Sequence, residues 1–170
     1  MAPGVTTVQE EHQRFVRHLE EILELADAVG TVPLDDLVRR TGEVHGFLAR
    51  DLMPHAVAED SILFPALRGG TDDAPTVAMT RCHRQLARFT DELEAQRSRL
   101  LAHAPRADVE RELRRILYGT HALLSAHFAE TDEAFAASLG GTLSVEERER
   151  LFERVERYAD DVAKLLRFGG

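Results

Sequence analysis

The sequence lacks the features of a disulfide-rich or membrane-spanning protein. It has one cysteine and no tryptophan among 170 residues, which excludes an internal disulfide and a thiolate-rich metal site. No run of eighteen apolar residues is present that could cross a bilayer, so we expect no contact with membranes. The first residues do not combine a basic segment with an apolar one, which predicts a chain without a secretory signal, located in the cytoplasm.

The net charge argues against non-specific binding to nucleic acid. The formal net charge is -9, whereas nucleic-acid-binding proteins present a basic surface. Because 44% of the residues are hydrophobic, the chain can bury a core, and we expect one domain over residues 1–170. The unusual feature is a set of eight histidines.

The pattern of apolar residues is helical throughout. Five segments lie between short breaks, in which glycine or proline occurs, at 30–33, 69–75, 104–106 and 140–142. Within them apolar residues recur every three or four positions, and no segment alternates with the period of two that is typical of strands. This predicts an all-α fold, an up-down antiparallel four-helix bundle over about 7–140, with an additional C-terminal helix over about 144–167.

Two local signals refine this prediction. Pro54 lies inside the second segment, where it should kink the helix or split it near Met53. The fifth segment opens with Ser144 and Glu147, which have the spacing of a capping box.

Polar residues interrupt the apolar stripes of four segments. They are His12, His55 with Glu59, His83 and His127. At 1.5 Å per residue, all of them fall in one layer, roughly 8–18 Å from one end of the predicted bundle. Burying so many polar groups is costly without partners, whereas imidazole nitrogen and carboxylate oxygen suit iron, manganese or zinc. The pattern therefore predicts a metal site, at which Glu59 can bridge two ions.

The same residues resemble a known family. His12, the run HAVAEDSILFPAL over 55–67, His83 and the run LYGTHALLSAHFAETDEAF over 117–135 are similar to hemerythrin-like, HHE cation-binding proteins. The resemblance implies a four-helix bundle that holds an oxo- or hydroxo-bridged non-haem di-iron centre, with zinc or manganese as possible substitutes. It also implies a role in binding, sensing or reacting with O2, NO or peroxide.

By position, the resemblance implies six metal ligands. Five of them are His12, His55, Glu59, His83 and His127. The second bridging carboxylate departs from the family pattern, since the glutamate expected four residues after the last histidine is Thr131 here. Oxygen carriers use an aspartate one position later, which is Asp132 here. We take Asp132 as the sixth ligand and Glu130 as the other candidate.

The third helix departs from the oxygen-carrier pattern too. Oxygen carriers supply two histidines four residues apart, but the positions four before and four after His83 are Met79 and Ala87. This weakens reversible O2 transport as the function. The expected function is therefore di-iron binding with sensing, binding or detoxification of O2, NO or peroxide, and an oxidase or peroxide-decomposing activity is left open. The alternatives are a metal-responsive interaction module, with the last helix as the partner surface, or iron or zinc storage at a mononuclear or incomplete dinuclear site.

The remaining histidines and the cysteine have simpler interpretations. We predict that His18 and His103 are solvated and that His45 is structural. His121 should support a ligand or pack beside it rather than bind metal directly. Cys82 adjoins His83 in sequence and should therefore face away from the centre of the core.

Overall fold

The protein is all-helical. The computed structural model describes residues 8–67, 74–102, 104–142 and 144–168, without the side chains of 8–11, 67, 74–75, 131–142, 145 and 168. No strand occurs in these ranges. The α-helices are α1 (Val8–Ala28), α2 (Leu34–Phe47), α3 (Met53–Ala58), α4 (Phe64–Leu67), α5 (Ala74–Leu101), α6 (Arg106–Thr142) and α7 (Val145–Phe168). Since α2, α3 and α4 form one continuous rod, the five predicted helical segments are confirmed.

The ends of the rods follow from local chemistry. After α1, Gly30 adopts a positive φ of 89°, a left-handed conformation that glycine accepts without strain and that commonly ends helices. The predicted capping box opens α7, where the amide of Ser144 donates to Glu147 Oε2 at 2.8 Å and the amide of Glu147 donates to Ser144 Oγ at 3.2 Å.

The second rod contains two π-helical turns, which we call the first wide turn (Leu48–Leu52) and the second wide turn (Glu59–Leu63). Each ends two residues before a proline, Pro54 or Pro65. Proline has no amide hydrogen, and its ring crowds the carbonyl four residues back, so a wider turn lets the rod continue. The rod does not split near Met53, because the π-helical turn leads directly into α3 with helical backbone throughout.

The second wide turn was not predicted, and it changes which residues point inward. Continuing the apolar stripe past Glu59 predicts Ile62 and Ala66 as core residues. Instead Ile62 is half-buried and Ala66 is exposed, while Leu63 and Phe64 are fully buried. The prediction was wrong because a π-helical turn contains more residues than an α-turn and shifts the inward face along the chain.

Four rods surround the main core. The helix α1 packs against α2 and α6, and α5 packs against the same two helices. The helices α1 and α6 run in opposite directions: an early residue of α1, His12, lies beside Phe128, and a late residue, Asp27, accepts a hydrogen bond from the earlier Tyr118 of α6. Fully buried residues fill the interior, including Ile22, Leu25, Leu37, Leu48, Leu86, Leu93, Leu113 and Ile116.

The last helix covers the second rod. It packs against α3 and the second wide turn and buries a smaller apolar cluster, which includes Leu63, Phe64, Met79, Leu151 and Val155. Within the described ranges, no helix is both long enough and apolar enough to cross a membrane.

Candidate metal centre

Five side chains from four rods converge in the interior. They are His12 on α1, His55 on α3, Glu59 at the start of the second wide turn, His83 on α5 and His127 on α6. Each is at most 5% exposed. The structure thus brings together five of the six residues that the sequence suggested as ligands.

The local backbone of the second rod sets the position of His55 and Glu59. The amide of Glu59 donates to the carbonyl of His55, so the two residues are separated by one ordinary α-helical turn and project from the same face. The two wide turns lie directly before and after this segment. Departures of this kind within helices are frequent at functional sites.

Glu59 lies between two pairs of imidazoles. Its Oε1 is 3.6 Å from His12 Nε2 and 3.5 Å from His55 Nε2. Its Oε2 is 3.2 Å from His83 Nε2 and 3.4 Å from His127 Nε2. Each pair forms with Glu59 a group whose ligand atoms all lie within 4.8 Å of one another. The carboxylate therefore divides the site into two halves and belongs to both.

The environment of Glu59 favours its charged form. Burial raises the pKa of a carboxyl, but the charge of His55 and the close imidazole nitrogens outweigh it, so the pKa of Glu59 lies well below its usual range. Among the described residues, neither oxygen of Glu59 accepts a hydrogen bond of regular geometry. A buried carboxylate in this state is stabilised by positive charge, which protonated imidazole supplies without metal and which a bound metal ion would supply in its place.

Asp60 contacts His83 on the side of the imidazole ring that faces away from Glu59. The Asp60 Oδ2 atom is 3.2 Å from His83 Nδ1, and Thr80 Oγ1 donates to Asp60 Oδ1 at 2.7 Å. Burial lowers the pKa of His83, but the contacts with Asp60 and Glu59 outweigh this effect and raise it to about 9. Nδ1 of His83 thus faces Asp60, and its Nε2 faces Glu59 in the interior. A carboxylate behind a metal-binding histidine is a common support.

The other histidines are held among aromatic rings. His12 lies 4.7 Å from the ring centroid of Phe128, and His55 lies 5.4 Å from that of Phe15. The ring of Phe64 stacks beside His83 at 5.7 Å. Burial, only partly offset by Glu59, lowers the pKa of His127. Apolar rings around the donors limit access of water to the site.

The sixth predicted ligand was not located. The side chain of Asp132, like that of Thr131, lies outside the described residues, so its role stays a prediction. The alternative, Glu130, is exposed and belongs to neither convergent group. His121 is half-buried on α6 and also lies outside both groups.

The remaining predicted surface and packing residues lie away from the site. His45 Nδ1 is 3.5 Å from Glu94 Oε2. His18 pairs with Glu21 at 2.6 Å and stacks on Phe47 at 3.9 Å, and His103 lies outside the described residues. Burial, reinforced by nearby carboxylates, raises the pKa of Cys82 to about 11, which keeps the thiol protonated and unreactive.

The donor set fits divalent first-row metal ions. Each half offers two imidazole nitrogens and one carboxylate oxygen, a combination that iron and zinc accept. Three protein donors leave positions open for a small ligand on each ion.

Comparisons with known proteins gave one result. Neither the curated proteins nor the solved structures yielded a match. A family described as the hemerythrin HHE cation-binding domain matches residues 4–139, a range that contains all five converging side chains and ends before α7.

Proposed function

Because the chain belongs to the hemerythrin HHE cation-binding domain family, we propose that it holds two iron ions and binds or reacts with O2, NO or peroxide. The ligands in this proposal are His12, His55, Glu59, His83, His127 and Asp132. The observation that carries it is the position of Glu59, whose two oxygens each face a different pair of histidines. A carboxylate with this surrounding is suited to bridge two ions.

The side chains of this protein have distinct tasks in the proposed function. A bound iron pair supplies open coordination positions and electrons for a small ligand. The imidazoles bind through Nε2, and Asp60 orients His83 through Nδ1. The rings of Phe15, Phe64 and Phe128 border the site and exclude bulk water and large molecules. The partner implied by this enclosure is a diatomic molecule or peroxide.

The proposal includes the architecture that the family suggests. The ring of packed rods and the pairing of early with late residues support an up-down antiparallel four-helix bundle of hemerythrin type. We assign α7 to the same single domain, as an addition beyond the bundle. A cytoplasmic location is supported by composition alone, since one cysteine cannot form an internal disulfide.

The test is anaerobic loading with Fe(II) followed by exposure to air. We expect two irons per chain and a new near-ultraviolet absorption band in air. Glu59→Gln should lose most of the bound iron and the band, whereas Glu24→Gln, which removes an exposed carboxylate from α1, should retain both. A stoichiometry near one, or an unchanged spectrum in air, would contradict the proposal. Peroxide consumption by the loaded protein would then distinguish an enzyme from a binding or sensing protein.

A second candidate is a site for a single iron or zinc ion. It is favoured by the fact that each half of the site, taken alone, already offers two imidazoles and a carboxylate oxygen, a set sufficient for one ion. In that case metal analysis of the protein as isolated gives one ion per chain. Replacing both His12 and His55 by Gln would then either abolish binding or leave it intact, depending on which half is used.

A further inference from the structure

An open cavity adjoins the candidate metal centre. It has a volume of about 270 Å³ and lies between α1, the first wide turn with the start of α3, and the end of α7. Phe15, Phe47 and Pro54 supply apolar wall, and His55 lies in the same wall. One of the four converging histidines therefore forms part of the cavity wall, although His55 is only 2% exposed.

The charged groups around this cavity are mostly arginines. Arg14 and Arg17 come from α1, Arg50 from the first wide turn and Arg167 from the last turn of α7. Two carboxylates, of Asp51 and Asp160, line it as well. Four cations against two anions make this wall basic, although the whole chain has a formal charge of -9.

Three of these arginines, like several others on the described part of the surface, form no ion pair with an acidic side chain, but these three line the same cavity. Arg39, Arg97, Arg106, Arg111 and Arg115 each form an ion pair with a neighbouring acid. In the ranges that the structure describes, no such pair involves Arg17, Arg50 or Arg167. Arg17 Nε donates to His18 Nε2 at 3.5 Å.

The position of Arg50 depends on a glycine. A Cβ atom at position 46 would collide with the Arg50 guanidinium, so the absence of a side chain at Gly46 lets the guanidinium fold back along the rod. Arg50 also lines the cavity. The Arg167 guanidinium, in contrast, is supplied by α7, which lies outside the matched range 4–139.

From this arrangement we infer that the cavity is a binding site for a small oxyanion. Guanidinium groups present planar arrays of donors that match carboxylate and phosphate oxygens, and the three without acidic partners face one concave space. The volume admits an anion of the size of phosphate or acetate together with water. Because the arginines and the cavity do not depend on a bound metal, the inference stands or fails separately from the proposed function.

The experiment titrates the full chain with inorganic phosphate and with acetate, at constant ionic strength in sodium chloride. Protein as isolated and metal-free protein are both used, so that binding to metal can be recognised. Two-dimensional ¹H–¹⁵N NMR follows backbone amides and arginine Nε–H groups. We expect saturable shifts at one site, on Arg17, Arg50 and Arg167, in both forms of the protein.

Variants distinguish specific binding of the anion in the cavity from a general effect of the anion on surface charge. Because charge-assisted hydrogen bonds are strong, Arg50→Gln and Arg167→Gln should each weaken binding at least about tenfold. Arg88→Gln removes the same charge from an exposed position on α5, where the arginine donates to the neutral side chain of Gln85, and it should bind like the parent protein. Shifts that grow without saturation, or equal weakening in Arg88→Gln and Arg50→Gln, would overturn the inference. Saturation in protein as isolated alone would overturn it too, since the anion would then bind the metal.

Discussion

At the scale of single residues, the site depends on polar groups that are buried among apolar neighbours. The positions of His12, His55, Glu59 and His83 could be predicted because each fills a gap in an apolar stripe. Asp60 could not be predicted in this way, since it follows Glu59 by one position and points about 100° away on an ideal helix. It reaches His83 only because α5 packs beside the second rod. The only signal in the sequence was a second carboxylate directly after the first.

Asp60 is expected to matter for metal affinity through His83. In Asp60→Ala, Nδ1 of His83 loses its carboxylate partner at 3.2 Å, so the ring is less firmly oriented and a weaker base. Loss of such partners typically lowers metal affinity about 10- to 100-fold, and we expect a change of that order in competition with a chelator. Asp91→Ala, at an exposed position of α5, the helix that carries His83, is the control and should retain the parent affinity. Equal affinities in the two variants would contradict this role.

At the scale of helices, the sequence predicted most of the fold. The five rods begin and end within a few residues of their predicted bounds, because glycine, proline and capping residues act locally. The second wide turn was missed because the spacing of apolar residues is judged over several helical turns. A single π-helical turn shifts the inward-facing positions by a small step at one place, which such a pattern does not reveal. The side chain at position 62 was consequently assigned to the core in place of those at 63 and 64.

The packing of α5 on α6 requires a residue without a side chain at position 119. A Cβ atom on Gly119 would lie 2.7 Å from Cε2 of the buried Phe89 ring, whereas one on Gly42 would meet Arg97 Cδ at an ordinary 3.5 Å. Overpacking costs about 1–3 kcal/mol, and alanine gains about 0.5–1 kcal/mol over glycine within a helix. In urea unfolding, Gly119→Ala should therefore be less stable than the parent protein and Gly42→Ala equally or more stable. The reverse order would show that Phe89 can move aside.

At the scale of the whole molecule, the cluster links folding to pH when metal is absent. The pKa of His83 is raised to about 9 in the folded protein, above the value of about 6.5 for an unfolded chain. The contribution of His83 to the free energy of unfolding is thus fully present below pH 6.5 and is lost as pH rises through about 9. The pKa of Glu59 is lowered, so its contribution is present above its unfolded value and is lost as pH falls.

Chemical unfolding of the metal-free protein should show this dependence. We expect the free energy of unfolding to fall between pH 6.5 and 9. His83→Gln should flatten this decline, and His45→Gln, which changes a histidine outside the cluster, should not. A decline of the same size in His83→Gln would mean that other groups cause it.

The position of Glu59 between two pairs of histidines also has a consequence for how the centre fills. The two oxygens of the Glu59 carboxylate lie in one plane, and each faces a different half of the site. A contact that fixes the orientation of one oxygen therefore also fixes the orientation of the other. If each half binds an ion, as proposed, the loading curve should therefore differ from the sum of two independent isotherms. Substitution of His12 or His55 should therefore change the metal affinity of the half formed by His83 and His127, even though the substituted residue does not contact an ion bound there.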